Sequence, residues 1–476
     1  MLELTIHLDS HLRKPLYEQI YDYIRISIAD GKISCGEKLP STRFLSSHLG
    51  VARSTAETAY AQLLSEGYIE AKPCRGYYAC DISGLYAAYP AAAKTAPEIR
   101  RREAYRIDFS PDENDFSCFP FAAWRKVSKE ALACEDRSLL AAGEAAGEWG
   151  LREAVCRYLY QARGVNCRPG QLVIGAGNEY LLMLLAQVLG PGKKVAIENP
   201  TYRNAYRTLA NMGYQMIAVP GDKYGIRVGE MEVMQPDIVY AMPSHQFPMG
   251  TVMPLKRRLM LLKWASGRRG RYIIEDDHDS EFRYKGKPIP SLQGIDGSGT
   301  VIYLGTFSRS ISPAIRVSYM VLPEELLFSY RTNCGFYAST VPREQQMVLE
   351  AFLNGGYFER HLNKMRRIYK GKHDSFHALL KNEAWVKTIY GDFAGVHLLV
   401  ETDANKSAAE IVNEAKRKGV RAYALTEYLM PGNIQQAFGE GFFKTLLLGY
   451  GGRSEEELSE GIACIRGIAG KANEPG

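Results

Sequence analysis

The chain has nine cysteines in 476 residues and no Cys-x-x-Cys spacing. Cys35, Cys74, Cys80, Cys118, Cys134, Cys156, Cys167, Cys334 and Cys464 are odd in number and scattered, which gives neither a zinc-ribbon ligand set nor an even disulfide framework. They are expected to be reduced packing residues, with no metal site. No uninterrupted apolar run of about 18 residues occurs, so no membrane-spanning helix is expected. The opening MLELTIHLDSHLRKP carries neither an apolar signal core nor an Arg-rich amphipathic transit pattern, and a cytoplasmic protein is the expectation. Low-complexity tracts and repeats of about 20 to 50 residues are missing as well. Charge of one sign is scarce: the net charge is +6, and over residues 1–80 nine Lys/Arg face nine Asp/Glu. Bulk charge therefore does not establish nucleic-acid binding, and the placement of charge has to do so. What is present, 46% hydrophobic and 24% charged residues, is a globular composition long enough for roughly two to four domains.

From Leu16 to Asp30, apolar residues at Leu16, Ile20, Tyr21, Ile24 and Ile28 form a helical stripe, closed by Gly31. A second short helix is expected after Leu39-Pro40-Ser41, with Ser41 as its cap, Phe44, Leu45 and Leu49 as its inner face and Gly50 as its stop. A third runs from Arg53 to Glu66, burying Ala56, Ala59, Tyr60, Leu63 and Leu64 and turning Arg53, Ser54, Glu57 and Thr58 outward. Tyr68 to Ala71 and Gly76 to Ala79 read as a hairpin whose tip, Lys72-Pro73-Cys74-Arg75, carries two cations. Three helices and a basic hairpin make a winged helix-turn-helix over residues 1–80.

Residues 81–106 are Ala-rich and Pro-punctuated and are expected to be a linker, with Arg100-Arg101-Arg102 a solvated run. From 107 to 476, apolar runs at Leu172–Ile174, Lys194–Ile197, Ile238–Tyr240, Tyr272–Ile274 and Val301–Leu304 alternate with helical stretches. That is an α/β pattern with a mainly parallel sheet.

A helix that begins with Arg53, Ser54, Thr55 and Thr58 offers short hydroxyls and one guanidinium to base edges in a major groove. Ser41, Arg43, Lys72, Arg75 and the Gly76 backbone flank it and suit phosphates. The run LYEQIYDYIR…GEKLPSTRFLSSHLGVARSTAETAYAQLLSEGYIEAKPCRGYYA resembles the GntR-type winged helix. Ala52 departs from that pattern, which has a capping serine there; losing such a cap costs about 1 kcal/mol.

Four stretches of the large region carry chemistry. Gly175-Ala176-Gly177-Asn178-Glu179, between a strand and a helix, presents backbone N–H groups to a phosphate. Ile273 to His278 is a strand ending in acids, where one carboxylate can keep a pyridine nitrogen protonated. Ser244-His245-Gln246-Phe247-Pro248-Met249-Gly250 can donate to a ring hydroxyl from a tight turn. Gly305-Thr306-Phe307-Ser308-Arg309-Ser310, followed by Pro313 and Arg316, offers hydroxyls and two cations to an anion.

In this order, with PSHQFPMGTVMP, YIIEDDHDSEFRY and YLGTFSRSISPAIRVSYMVLP, these stretches resemble the type I aminotransferase fold of the MocR/GabR group of regulators. The resemblance implies a DNA-binding regulator with a winged helix, a pyridoxal 5'-phosphate-type cofactor site, operator DNA and a small-molecule effector as partners, and a head-to-tail homodimer. It sets Asp276 at the pyridine nitrogen, Tyr202 on the ring, and Thr306, Ser308 and Arg316 at the phosphate; His278 stands where the family has a tyrosine contacting the ring hydroxyl and Asn178 where a threonine is common near the phosphate, and with His245 and Gly177 they complete the expected cofactor-binding set. Arg309 stands where that fold carries its covalent (aldimine) lysine, and a guanidinium, always protonated, is no amine nucleophile, so no catalytic residue is expected. Asn204 and Gly452 stand where the GABA-sensing branch has two arginines. Three states of the pocket follow: the cofactor held without a covalent bond and with Arg309 on its phosphate, another anionic metabolite, or a dimerisation scaffold. The rival reading is a B6-type enzyme using Lys285 or Lys287.

Overall fold

The computed structural model describes residues 6, 8–9, 14–82, 105–133, 137–277, 279–284, 290–391, 394–431 and 438–470. The chain divides into two compact units, Met1–Glu103 and Ala104–Gly476. Most of the expected linker, with Arg100 to Arg102, lies outside the described residues, as do His278, Lys285 and Lys287.

The first unit is built on α1 (Leu16–Ala29), α2 (Thr42–Leu49), α3 (Arg53–Ser65) and the hairpin β1 (Ile69–Lys72) and β2 (Gly76–Ala79). Ile20, Ile24 and Ile28 recur every fourth residue, so α1 turns one face onto Ala56, Ala59, Tyr60 and Leu63 of α3. Each fully buried aliphatic side chain there contributes roughly 1.5–3 kcal/mol. The Phe44 backbone N–H donates to Ser41 Oγ at 3.1 Å, and Gly50 closes α2 in the left-handed conformation at φ 64°. Phe44 corrects the expected inner face of α2: it is exposed and stacks on His48, while Thr42, Leu45 and Ser46 form the buried side. Ala52 makes no side-chain cap, and α3 is held instead by Tyr60, whose buried hydroxyl donates to Pro40 O at 2.9 Å. Lys72 lies within β1, opposite Gly76, so the turn itself is Pro73 to Arg75.

The second unit opens with β3 (Ile107–Asp108). Its main sheet holds eight strands: β4 (Leu172–Gly175), β5 (Lys194–Asn199), β6 (Gln215–Asp222), β7 (Gly225–Ile226), β8 (Ile238–Ala241), β9 (Tyr272–Asp277), β10 (Val301–Thr306) and β11 (Ser318–Val321). Their spatial order is β4-β11-β10-β9-β8-β5-β6-β7, with β6, β5, β8, β9 and β10 mutually parallel. The five apolar runs read in the sequence are all strands of this sheet. Strand β11 lies outside those runs and is antiparallel to both β10 and β4. Parallel strands covered on both faces are apolar along their length, and β8 is buried at every residue. A second, antiparallel sheet is formed by β12 (Val386–Tyr390), β13 (His397–Thr402), β15 (Tyr423–Ala424) and β16 (Thr445–Gly449). Its neighbour β14 (Val420–Arg421) pairs in parallel with β3. No described helix is long and apolar enough to cross a membrane.

Candidate functional site

In the first unit, Arg53, Ser54 and Thr58 are exposed along the start of α3, with Thr55 half-buried. Ser41, Arg43, Lys72, Arg75 and Gly76 are exposed on α2 and the hairpin. Two of these groups are already engaged: Arg53 Nε donates to Glu57 Oε1 at 2.7 Å, and Lys72 Nζ pairs with Glu70 at 2.8 Å. Thr58 Oγ1 donates back to Ser54 O at 2.8 Å, a local bond that leaves its lone pairs for an outside donor. One cation escaped the sequence reading. Lys38 bridges to Tyr78, and its Cε would stand 3.3 Å from a Cβ at residue 76, so it lies beside the hairpin's glycine. A single lysine before a helix carries no sequence signal for that placement.

In the second unit, the carboxyl ends of β9 and β10 meet the start of the helix Asn178–Leu189, which follows β4. The edge where strands end and helices begin is where open α/β sheets take ligands. A cavity of about 240 Å³ lies there, lined by Gly177, Asn178, Tyr202, Asp276, Thr306, Ser308, Arg309 and Arg316, with Asp112, Glu179, Phe247, Pro313 and Ser318. Eight sequence-predicted residues are thus brought together around one space.

Side chains alternate along β9, and this sorts its acids. Asp276 faces the cavity, buried; Tyr240 Oη donates to Asp276 Oδ2, and Asn178 Nδ2 approaches Oδ1 at 3.4 Å. Asn178 Oδ1 is buried without a donor. Glu275, on the other face, accepts from the backbone N–H groups of Leu292 at 2.7 Å and Gln293 at 2.8 Å, and burial followed by Asp277 pushes its carboxyl up to about 7. Asp277 is clamped by Arg163 at 2.7 Å and by the Tyr303 hydroxyl at 2.5 Å. Of these three acids, the middle one alone lines the cavity.

At the other end, Thr306 Oγ1 accepts from Ser318 Oγ at 2.8 Å and from the Ser308 backbone N–H at 3.1 Å. Arg316, at φ 49°, reaches across the start of the helix, and its Nη2 donates to Ala176 O at 3.0 Å. A Cβ at Gly177 would stand 2.3 Å from that Nη2, and the residue sits at φ 102°, so glycine is what lets the guanidinium lie over the helix N-terminus. Tyr202 is packed edge-on against Phe247 at 6.2 Å, and its hydroxyl lies 3.4 Å from Glu179 Oε1. Burial, ahead of the Glu179 carboxylate, raises that phenol well above its ordinary range.

Arg309 lines the cavity, and two of its N–H donors are bonded along the wall. Nη1 donates to Pro111 O at 2.7 Å and Nη2 to Asp112 Oδ1 at 2.8 Å, while Asn114 Nδ2 donates to the carbonyls of Ser308 and Arg309. The guanidinium expected at the phosphate is thus tied to a segment 197 residues away in sequence, a pairing that local spacing cannot signal. His245 is also set apart from the cavity. Its ring is buried, with Nδ1 2.9 Å from Asp279 and its centroid 5.8 Å from that of His397. Gly395 leaves the room it needs. Asn204 donates to Glu179 and to the Tyr202 hydroxyl, and Arg453 pairs with Glu113 and Glu457.

Residues 16–78 match the family described as bacterial regulatory proteins, gntR family, and residues 107–442 match aminotransferase class I and II. The chain is 38% identical over 471 residues to the uncharacterized HTH-type transcriptional regulator YdeL of Bacillus subtilis (strain 168), covering 98% of this chain and 99% of that one. It is 30% identical over 479 residues to the probable rhizopine catabolism regulatory protein MocR of Rhizobium meliloti, covering 96% and 94%. Among solved structures, the α-aminoadipate aminotransferase LysN of Thermus thermophilus, complexed with N-(5'-phosphopyridoxyl)-L-leucine, matches with TM-score 0.65 and 26% identity, covering 75% of this chain and 90% of that one. Fold and matches together define a winged-helix DNA-binding unit joined to an aminotransferase-type body. The chain belongs to the MocR/GabR-type regulators of the GntR family.

Proposed function

We propose that this protein is a transcription regulator that binds operator DNA as a head-to-tail homodimer and whose aminotransferase-type unit holds pyridoxal 5'-phosphate without a covalent lysine bond. The observation that carries this reading is the polarity of the cavity: a buried carboxylate at one end, and a helix start with hydroxyls and a guanidinium at the other. Asp276 would keep the pyridine nitrogen protonated. Gly177, Asn178, Thr306, Ser308 and Arg316 would hold the phosphate, and Tyr202 would lie against the ring. The donor-less Asn178 Oδ1 beside Asp276 is a buried acceptor that a bound group can satisfy. When bound, the cofactor supplies an aldehyde and an electron-withdrawing ring. Arg309 supplies no amine to that aldehyde. Its bonds to Pro111 and Asp112 instead close the cavity wall, and the chain acts as a sensor rather than an aminotransferase.

On DNA, Arg53, Ser54, Thr55 and Thr58 read base edges, and Ser41, Arg43, Lys72, Arg75 and the Gly76 N–H hold phosphates. Homodimer symmetry calls for paired half-sites. Ligand occupancy changes operator affinity by the ligand's differential affinity for the two states of the dimer.

The test is the visible absorbance of the purified protein with added pyridoxal 5'-phosphate, wild type beside Arg309→Lys. A lysine-bound band in Arg309→Lys alone, with saturable quenching of protein fluorescence in wild type that Asp276→Asn weakens at least about tenfold, supports the reading. A band in wild type that borohydride fixes overturns it in favour of another lysine, and no binding by either protein removes this cofactor from the site.

A further inference from the structure

A second cavity, of about 480 Å³, opens between the β5–β6 edge of the main sheet and the carboxy-terminal sheet. Its floor is Glu198, on β5. This side chain is only 4% exposed, and no described residue donates a hydrogen bond to it, although buried polar groups are normally paired. Room for the carboxyl is kept by glycine: a Cβ at Gly221 on β6 would stand 2.5 Å from Glu198 Oε1. The charged groups around it are otherwise engaged. Asp222 pairs with Arg257 at 2.9 Å, and Glu401 on β13 accepts from Lys387 at 2.7 Å and from the Tyr390 hydroxyl at 3.0 Å. Lys223 is exposed, 5.0 Å over the Tyr224 ring. The opposite wall is apolar, made by Met249, Leu399, Leu425 and Phe442. Burial, ahead of Asp222, pushes the Glu198 carboxyl up to about 8, so near neutral pH it holds a proton for which no described residue offers an acceptor.

We propose that this cavity is a second ligand site, separate from the Asp276 cavity, for a small organic amine whose ammonium group binds Glu198 and whose hydrocarbon body lies on the Met249, Leu399, Leu425 and Phe442 wall. A cation is the ligand class that converts an unpaired buried carboxyl into a charge-assisted pair. The apolar wall selects against small inorganic cations. The acid that is protonated in the free protein is ionised by the incoming ammonium ion, so binding near pH 7 releases close to one proton per ligand. The site stands independently of the cofactor reading, since none of its groups lines the first cavity.

The probe is phenethylamine, titrated calorimetrically at pH 7 into the full-length protein without added pyridoxal phosphate, in two buffers of different ionisation enthalpy. The uncharged 2-phenylethanol serves as control. Wild type is expected to bind the amine saturably with a proton released. Glu198→Gln, which resembles the protonated acid in shape and so retains the fold, is expected to bind at least about tenfold more weakly with no proton release. Asp276→Asn is expected to bind the amine as wild type does. Equal affinity in wild type and Glu198→Gln, equal binding of 2-phenylethanol, or no saturation by the amine at millimolar concentration each overturns the proposal. Loss of binding in Asp276→Asn would move the amine to the first cavity and overturn it too.

Discussion

In the winged unit, the side chains proposed to meet a ligand stand outward on rigid elements. Ser41, Arg43, Arg75 and Ser54 are exposed, and the packing that positions them lies on the opposite face of each helix. In the large unit most of the corresponding groups lie further in, Arg316 excepted: Asp276 and Thr306 are buried, Tyr202 is half-buried, and all three are hydrogen-bonded to neighbours within the same unit. The difference follows from what each ligand brings. DNA is a long polyanion whose phosphates stay near water, so exposed cations suffice and act at a distance. A small anionic ring has to be desolvated to be recognised, so its contacts are fixed in advance by interior bonds.

That contrast can be broken most severely at the winged unit's core. Leu63→Ala removes a fully buried side chain between α1 and α3 and should cost about 2–5 kcal/mol. Scanning calorimetry should show the winged unit's transition lowered and operator binding lost while the large unit's transition stays in place; a shift of both would show that the units unfold together. The next effect belongs to the interior of the large unit. Glu198 has a folded pKa raised above its unfolded value, so its stabilising contribution is full below about pH 4.5 and is lost as pH rises toward about 8. Thermal midpoints measured from pH 5 to pH 8.5 should fall by the equivalent of about 4 kcal/mol more in wild type than in Glu198→Gln. Parallel curves would remove that carboxyl from the interior.

On the DNA-facing side the effects are smaller. Arg53→Ala should weaken operator binding by about 1–2 kcal/mol, the lower part of the range for a bidentate base contact, because the guanidinium must first leave Glu57. Competition with mutated operators should show relaxed preference at one base pair; a uniform loss across sequences would make Arg53 a phosphate contact. Lys72→Ala should leave sequence preference intact and reduce the slope of log affinity against log salt by about 1, read by fluorescence anisotropy across a salt series.

The amount of structure legible in the sequence also differs between the two units. Helix ends and the hairpin of the winged unit were readable to within a residue or so, because caps, glycine stops and a four-residue apolar period act locally. Phe44 misled because the apolar pattern of a two-turn helix does not say which side its neighbours will cover, and only packing decides it. In the large unit the apolar strands and the cluster around Asp276, Thr306 and Arg316 were legible from their motifs. The tie of Arg309 to Asp112 and the solitary burial of Glu198 were not, since each depends on segments far apart in the chain. Glu198 sits in an ordinary-looking IENPTY run, and its oddity exists only once Gly221 is folded beside it.

Strand β3 is two residues long, yet it ties the start of the large unit to its carboxy-terminal part. Arg106 N and Ile107 N donate to Gly419 O, Phe109 N donates to Arg421 O, and Gly449 N donates to Phe109 O, so the first residues after the junction are stitched to β14 and β16. Strands β3 and β14 run parallel, so the entry of the chain into the large unit is held by backbone bonds to residues more than 300 positions further on. Any excised version of the large unit that starts after Phe109 would discard that anchor and leave the β14 edge bare.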